Sequence, residues 1–237
     1  MQQKELTVKQ IFLNSLSSFL SSRGKILVTL LIILFLIIIG IAVYTEINSS
    51  IVEKSTILIE EMEEKYTSEF SKFTENDDDQ KKIEKKEMME NIISSLDDII
   101  KKYSNYYAGQ RALYLKGEIY FSDNQYEKAL ENYSIIINKY KKSYLAPISL
   151  NNIAVCHEEL GDKDLAIENY KKLVELYSND FPDISHVLFS IGRLYELKED
   201  FKNALEYYSM LGDKYADSDW TVFSKNRIIY LKGEGKI

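Results

Sequence analysis

Residues 117–133 read GEIYFSDNQYEKALENY, and two later stretches repeat them: 154–170, AVCHEELGDKDLAIENY, and 192–208, GRLYELKEDFKNALEYY. A small residue comes first (Gly117, Ala154, Gly192). An aromatic ring follows three positions later (Tyr120, His157, Tyr195). An alanine comes next (Ala129, Ala166, Ala204), with a tyrosine four residues beyond it (Tyr133, Tyr170, Tyr208) and another eleven beyond it (Tyr140, Tyr177, Tyr215). The alanines are 37 and 38 residues apart. Between the apolar runs stand Asp123-Asn124, Gly161-Asp162 and Glu199-Asp200, residue types that favour a tight turn. The pattern predicts two antiparallel helices per unit, A and B. Small residues on both let the axes approach, and the aromatics fill the space beside them. One such pair cannot bury its apolar face alone, so the pairs stack.

This pattern resembles the tetratricopeptide repeat, over about residues 110–218. The resemblance implies an all-α, right-handed superhelical solenoid that binds other proteins in the groove lined by its A helices. By register that groove comprises Arg111, Tyr114, Glu118 and Phe121, then Asn151, Val155 and Glu158, then His186, Phe189, Arg193 and Glu196. An inert, solvated face is the competing reading. Two features depart from the family. Lys141, Ser178 and Ala216 stand where a proline is usual near the end of helix B, and the period exceeds the usual ~34 residues, which predicts longer connections between repeats. Glu118 and Val155 stand where a clamp for C-terminal carboxylates would need asparagine.

Upstream, Asn91–Tyr103 aligns with helix B, with Ile92, Leu96 and Tyr103 at the sites of Ala129, Tyr133 and Tyr140. Its helix A is expected over 51–74, where Ile59, Met62, Tyr66, Phe70 and Phe73 share one face. A short coiled coil is the alternative there. A loop is expected over Glu75–Gln80, with Asp79 capping the next helix. After the third unit, Trp220–Leu231 reads as a capping helix, Trp220, Phe223 and Ile229 inward and Lys225 and Arg227 toward water.

Ile26–Tyr44 (ILVTLLIILFLIIIGIAVY) carries no charge. At ~1.5 Å per residue it spans about 28 Å, close to the hydrocarbon thickness of a bilayer. A cleaved signal peptide is the rival reading. The run exceeds the usual ~7–15 residues and no A-x-A-like site follows, so an uncleaved anchor is expected. Arg23 and Lys25 precede it, which places the N-terminus in the cytoplasm and residues 45–237 outside it. Residues 8–20 (Val8, Phe12, Leu16, Phe19) read either as an interfacial helix or as an extension of the anchor.

The expected layout is therefore a cytoplasmic segment (1–25), a transmembrane helix (26–44), a divergent helical hairpin (45–105), three repeats (106–218) and a capping helix with its tail (219–237).

The chain carries a formal charge of −7. Lys4, Lys9, Arg23 and Lys25 against Glu5 give the first 44 residues +3, which leaves −10 for the rest. Such a domain repels phosphate backbones, so nucleic acid is not an expected partner. Cys156 is the single cysteine, so no intrachain disulfide forms. It reads as a small buried residue. His157 reads as core, and His186 has no partner in the sequence. Asp77, Asp78 and Asp79 lack the spacing of a calcium loop. No metalloprotease, nucleophile-elbow or P-loop motif occurs. No enzyme activity, cofactor, metal or small-molecule substrate is expected.

The order of anchor, divergent hairpin, repeats and cap resembles the bacterial ancillary Sec-translocon subunit family. That resemblance implies an inner-membrane protein with periplasmic repeats that links the translocation channel to periplasmic chaperones. Periplasmic repeat proteins of envelope machines, such as the flagellar motor collar and the outer-membrane assembly complex, share the same scaffold and are the alternative.

Overall fold

The computed structural model describes residues 7–74 and 78–237, and within them the chain is helical throughout. It divides into two units, Met1–Lys54 and Ser55–Ile237. Helix α1 (Val8–Phe70) supplies the first unit and the opening helix of the second. Ile26–Tyr44 lies inside α1, with no break before or after it. This stretch is long and apolar enough to cross a membrane, and none of its most apolar 18-residue window is buried.

The second unit continues through α2 (Asp79–Tyr103), α3 (Tyr107–Ser122), α4 (Tyr126–Lys139), α5 (Leu145–Glu159), α6 (Lys163–Tyr177), α7 (Ile184–Leu197), α8 (Phe201–Lys214) and α9 (Asp219–Gly233). From α2 onward each helix packs on the next in the chain, and α3 also meets α5, as α7 meets α9. These are tetratricopeptide-like stacked repeats: α3/α4, α5/α6 and α7/α8 are the three pairs. The helix expected over 51–74 is the tail of α1 rather than a separate element, and it stops at Phe70, so Phe73 lies beyond it. Of the loop expected over Glu75–Gln80, residues 75–77, including Asp77, lie outside the described residues. Asp78, not Asp79, caps α2, its carboxylate accepting from the Lys81 amide at 2.9 Å. In a run of aspartates the cap is whichever one precedes the first helical residue, and composition does not distinguish them.

The spacing of small and aromatic residues has a direct steric cause. Tyr133, Tyr170 and Tyr208 are each about 1% exposed. A methyl group on Gly117 would stand 2.6 Å from the Tyr133 ring, and one on Gly192 would stand 2.6 Å from Tyr208. In the first and third repeats the helix B tyrosine therefore lies directly against the helix A backbone. Ala129, Ala166 and Ala204 are wholly buried one turn before it.

The three turns close in the same way. Asn124 (φ 58°), Gly161 (φ 82°) and Glu199 (φ 60°) take the left-handed conformation at equivalent positions. The next amide then reaches back to the packing residue: Gln125 to the Tyr120 carbonyl at 2.9 Å, Asp162 to His157 at 2.8 Å and Asp200 to Tyr195 at 2.9 Å. These bonds satisfy carbonyls that a helix end leaves unpaired. Three residues link A to B in each repeat, whereas the connections between repeats are longer, 140–144 and 178–183. The second is one residue longer than the first, and the extra residue accounts for the change of spacing from 37 to 38.

In the first two units the last tyrosine ties the unit to the helix pair before it. The Tyr177 hydroxyl donates to the Lys141 carbonyl at 3.1 Å, and the Tyr140 hydroxyl donates to the Ser104 carbonyl at 2.6 Å. Lys141 follows Tyr140 and Ser104 follows Tyr103, so α2 stands to α4 as α4 stands to α6. Ile92, Leu96 and Tyr103 are buried accordingly.

Helix α9 turns differently from the sequence expectation. Its buried residues are Thr221, Ser224 and Leu231, while Ile229 is 68% exposed. Arg227 lies half-buried against α7 instead of facing water. The Thr221 hydroxyl donates to the Tyr215 carbonyl at 2.5 Å, which sets the rotation of the helix. Trp220 does cover the last repeat, packed on Phe189.

Two helix glycines separate sterics from propensity. Alanine favours a helix interior over glycine by ~1 kcal/mol. Gly212→Ala, which meets nothing within 4 Å, should therefore be neutral or stabilising. Gly192→Ala should instead destabilise by about 1–3 kcal/mol through overpacking on Tyr208. Urea unfolding of the two variants checks the sign, and a stabilised Gly192→Ala protein would contradict the packing account.

Candidate functional site

The three groups of sequence-expected groove residues lie on α3, α5 and α7. The structure brings these residues onto one face and also covers part of it. At the α3 end lies the tail of α1. The Arg111 guanidinium forms a two-pronged pair with Glu63, its Nε 2.9 Å from Oε1, and a looser contact with Glu60 at 3.6 Å. The hydrogen bonds to Glu63 raise its already high pKa further. Tyr66 Oη lies 2.9 Å from Ser122 Oγ. The α1 face that enters this contact carries Ile59, Met62, Tyr66 and Phe70, with Ile59 fully buried.

Between α1, α3 and α5 opens a pocket of about 640 Å³. Tyr66, Phe70, Tyr114, Phe121 and Val155 supply apolar walls, and Glu118 and Asn152 supply polar ones. Asn152 Nδ2 donates to the Tyr114 hydroxyl at 3.2 Å, and the Tyr114 ring packs on Tyr133 with centroids 5.7 Å apart. Burial pushes the Glu118 carboxyl above the ordinary carboxylate range. The Tyr114 hydrogen bond pulls it back in part, and the nearby charge of Glu63 adds to the rise. Asn151, beside Asn152, keeps a buried Oδ1 without a hydrogen-bond partner.

Farther along, two identical triads stitch successive repeats together. Tyr170 donates to Glu158 at 2.8 Å, and Arg193 of the next repeat grips the same carboxylate. Tyr208 donates to Glu196 at 2.9 Å, and Arg227 of α9 grips it, with Nε at 3.1 Å. Burial alone would raise the Glu196 carboxyl, but the Arg227 and Tyr208 hydrogen bonds overcome it and hold the group below its ordinary value.

At the far end the half-buried Phe189 packs on Tyr208 and Trp220, at 5.6 and 5.2 Å between centroids, with Phe223, expected inward but 52% exposed, at 6.3 Å. His186, which has no partner in the sequence, packs on the Trp220 ring at 4.5 Å. Arg111, Glu158, His186, Phe189, Arg193 and Glu196 are thus engaged within the chain, whereas Tyr114, Glu118, Phe121 and Val155 face the pocket. Sequence reasoning missed Glu63, Tyr66, Phe70 and Asn152. The face of Tyr66 and Phe70 was legible as a helical stripe, but nothing in its period names α3 as its neighbour.

Among the described residues no cluster of three His, Cys, Asp or Glu side chains is arranged to hold a metal. Burial pushes the Cys156 thiol up to about 12, so the thiolate is scarce at neutral pH.

Residues 17–217 match the family model described as a tetratricopeptide repeat-like domain. A TPR repeat-containing protein of Treponema pallidum (strain Nichols) is 28% identical over 118 residues, covering 50% of this chain and 48% of the relative. An uncharacterized protein of Borreliella burgdorferi is 28% identical over 172 residues, covering 57% of this chain and 48% of the relative. The chain therefore spans about half the length of the curated relatives it matches. Among solved structures, a tetratricopeptide repeat protein from Parabacteroides merdae superposes with a TM-score of 0.56 at 18% identity, covering 77% of this chain and 61% of that one. At that identity the likeness concerns the fold alone.

The Glu196 triad gives stability a pH dependence of defined sign. A carboxyl with a depressed folded pKa stabilises fully above its unfolded value and loses that contribution as pH falls through the folded one. Arg227 is partly exposed, so solvent screens the pair. Arg227→Ala should cost about 1–2 kcal/mol at pH 7, a deficit that shrinks below about pH 4. Thermal melts across that range check it. A deficit that stays constant into acid would mean that packing, not charge, is what Arg227 supplies.

Proposed function

This chain belongs to the tetratricopeptide repeat-like domain family, and on that premise we propose that it is a single-pass membrane scaffold whose repeats hold partner proteins outside the cytoplasm. The observation that carries the binding half of this reading is the apolar pocket of about 640 Å³ on the A-helix face, with polar groups at its wall. Concave, mostly apolar sites with a few placed polar groups are the usual form of a recognition surface. Repeats of this family are scaffolds for protein contacts, and the set of side chains around the pocket offers aromatic anchors and hydrogen bonds rather than a nucleophile with its base.

The anchoring half rests on Ile26–Tyr44. Each large apolar side chain moved from water to hydrocarbon gains about 1.5–3 kcal/mol, so this stretch favours lipid by on the order of tens of kcal/mol. Arg23 and Lys25 ahead of it favour a cytoplasmic N-terminus. The layout of segment 1–25, span 26–44, divergent hairpin 45–105, repeats 106–218 and cap 219–237 supports a periplasmic adaptor of the translocation or envelope machinery.

Topology is read by cysteine labelling in a Cys156→Ala background. Ser49→Cys and Asp217→Cys should react with a membrane-impermeant maleimide once any outer membrane is permeabilised. Labelling that requires lysis of the inner membrane would reverse the orientation. Partner capture tests the groove. Val155→Glu places a charge at the pocket wall on a half-buried site, and should reduce recovery of membrane partners at least about tenfold with little change in melting temperature. Unchanged recovery would move binding to another face.

A further inference from the structure

Along this groove the partly buried carboxylates have arginine partners, with one exception. Glu63 meets Arg111, Glu158 meets Arg193 and Glu196 meets Arg227. Glu118, on the wall of the 640 Å³ pocket, forms no ion pair among the described residues, and Arg111, which shares an adjoining pocket with it, is turned to other carboxylates. Arg111, two turns earlier on the same helix, is committed to Glu63 and Glu60. Lys116 is committed to Asp97 at 2.6 Å. What faces Glu118 is the Tyr114 hydroxyl, the repulsive charge of Glu63, and the rings of the pocket. A carboxylate held in apolar surroundings without a cation is costly, and a cation brought to it recovers that cost.

The same pocket suits the rest of a basic side chain. Tyr66 and Phe121 line the pocket with rings that can receive a guanidinium or ammonium group, the Phe70 ring already has the Lys85 ammonium 4.7 Å from its centroid, and Val155 offers an apolar wall to a methylene stem. The equivalent position in the later repeats is Val155 and then Arg193, so the acid at Glu118 is particular to the first repeat and is not part of the packing pattern.

We propose that the pocket between α1, α3 and α5 receives a lysine or arginine side chain of a partner protein's segment, with the cation on the Glu118 carboxylate and an adjacent aromatic or branched residue against Tyr66, Phe70 and Phe121. This rests on the reading of the groove as a protein-binding surface and gives that surface a ligand chemistry.

Selection of random heptapeptides displayed on phage tests it, with full-length protein in zwitterionic nanodiscs as bait and empty nanodiscs subtracted. Wild-type protein should enrich sequences in which Lys or Arg adjoins an aromatic or branched residue. Glu118→Gln keeps the shape and removes the charge, and should lower that enrichment at least about fivefold. Glu118→Asp should retain part of it. Far-ultraviolet circular dichroism confirms that each bait keeps its helices; should Glu118→Gln lose them, the Glu118→Asp comparison and the basic consensus on wild type decide the matter. Peptides enriched with neutral or acidic consensus, or a basic consensus equally strong on Glu118→Gln, would overturn this inference while leaving the groove as a binding surface. Enrichment of nothing over empty nanodiscs would overturn both.

Discussion

Each repeat is closed by a tyrosine ring laid against a helix that offers it a glycine, or in the second repeat an alanine, and no larger side chain. Gly117 beneath Tyr133 and Gly192 beneath Tyr208 leave the ring in direct contact with backbone. The hydroxyl at the far end of the ring then emerges at the groove, where Tyr170 and Tyr208 bond Glu158 and Glu196. One contact thus fixes two things: how closely the helices of a pair approach, and where a carboxylate stands on the A-helix face. An arginine of the next helix on that face, Arg193 of α7 or Arg227 of α9, completes each triad. A small residue at this place on helix A, glycine or alanine, is the condition on which both the stack and its electrostatics depend.

That dependence separates the groove into two kinds of surface. From Glu158 onward the polar side chains are spent on joining repeats, and Trp220 of α9 packs on Phe189. In the first repeat Phe121 occupies the position held later by Glu158 and Glu196, so no triad forms there. The tail of α1 lies alongside instead, and its contact with α3 is made by long side chains: Arg111 with Glu63, and Tyr66 with Ser122. A surface with apolar walls, hydrogen-bonding groups and an acid without an arginine is what remains open.

The repeats were legible because their signal is steric and local. Glycine or alanine, a ring three residues later, alanine and a second ring leave little choice of fold, and the turn residues announced the left-handed positions at Asn124 and Gly161. Less was legible wherever a side chain answers to a neighbour distant in sequence. Arg227 reads as solvated on its own helix and is instead drawn to a carboxylate 31 residues earlier. Ile229 reads as core and is exposed because Thr221 and Leu231 set the rotation of α9. The period of the expected groove residues sets them on α3, α5 and α7, yet it did not reveal that Arg193 is engaged with the repeat before it and Glu196 with α9, nor that Tyr66 and Phe70 complete the pocket beside Tyr114.

The claim at the centre of this account is that partners meet the protein at the first-repeat pocket rather than on the outer, helix B side. Site-specific photocrosslinking in intact cells addresses it directly. A benzophenone amino acid at Val155, inside the pocket, is compared with one at Ile135, an exposed helix B residue. The account predicts discrete adducts with other proteins from position 155 and none of the same mass from position 135. Adducts from position 135 alone would contradict it.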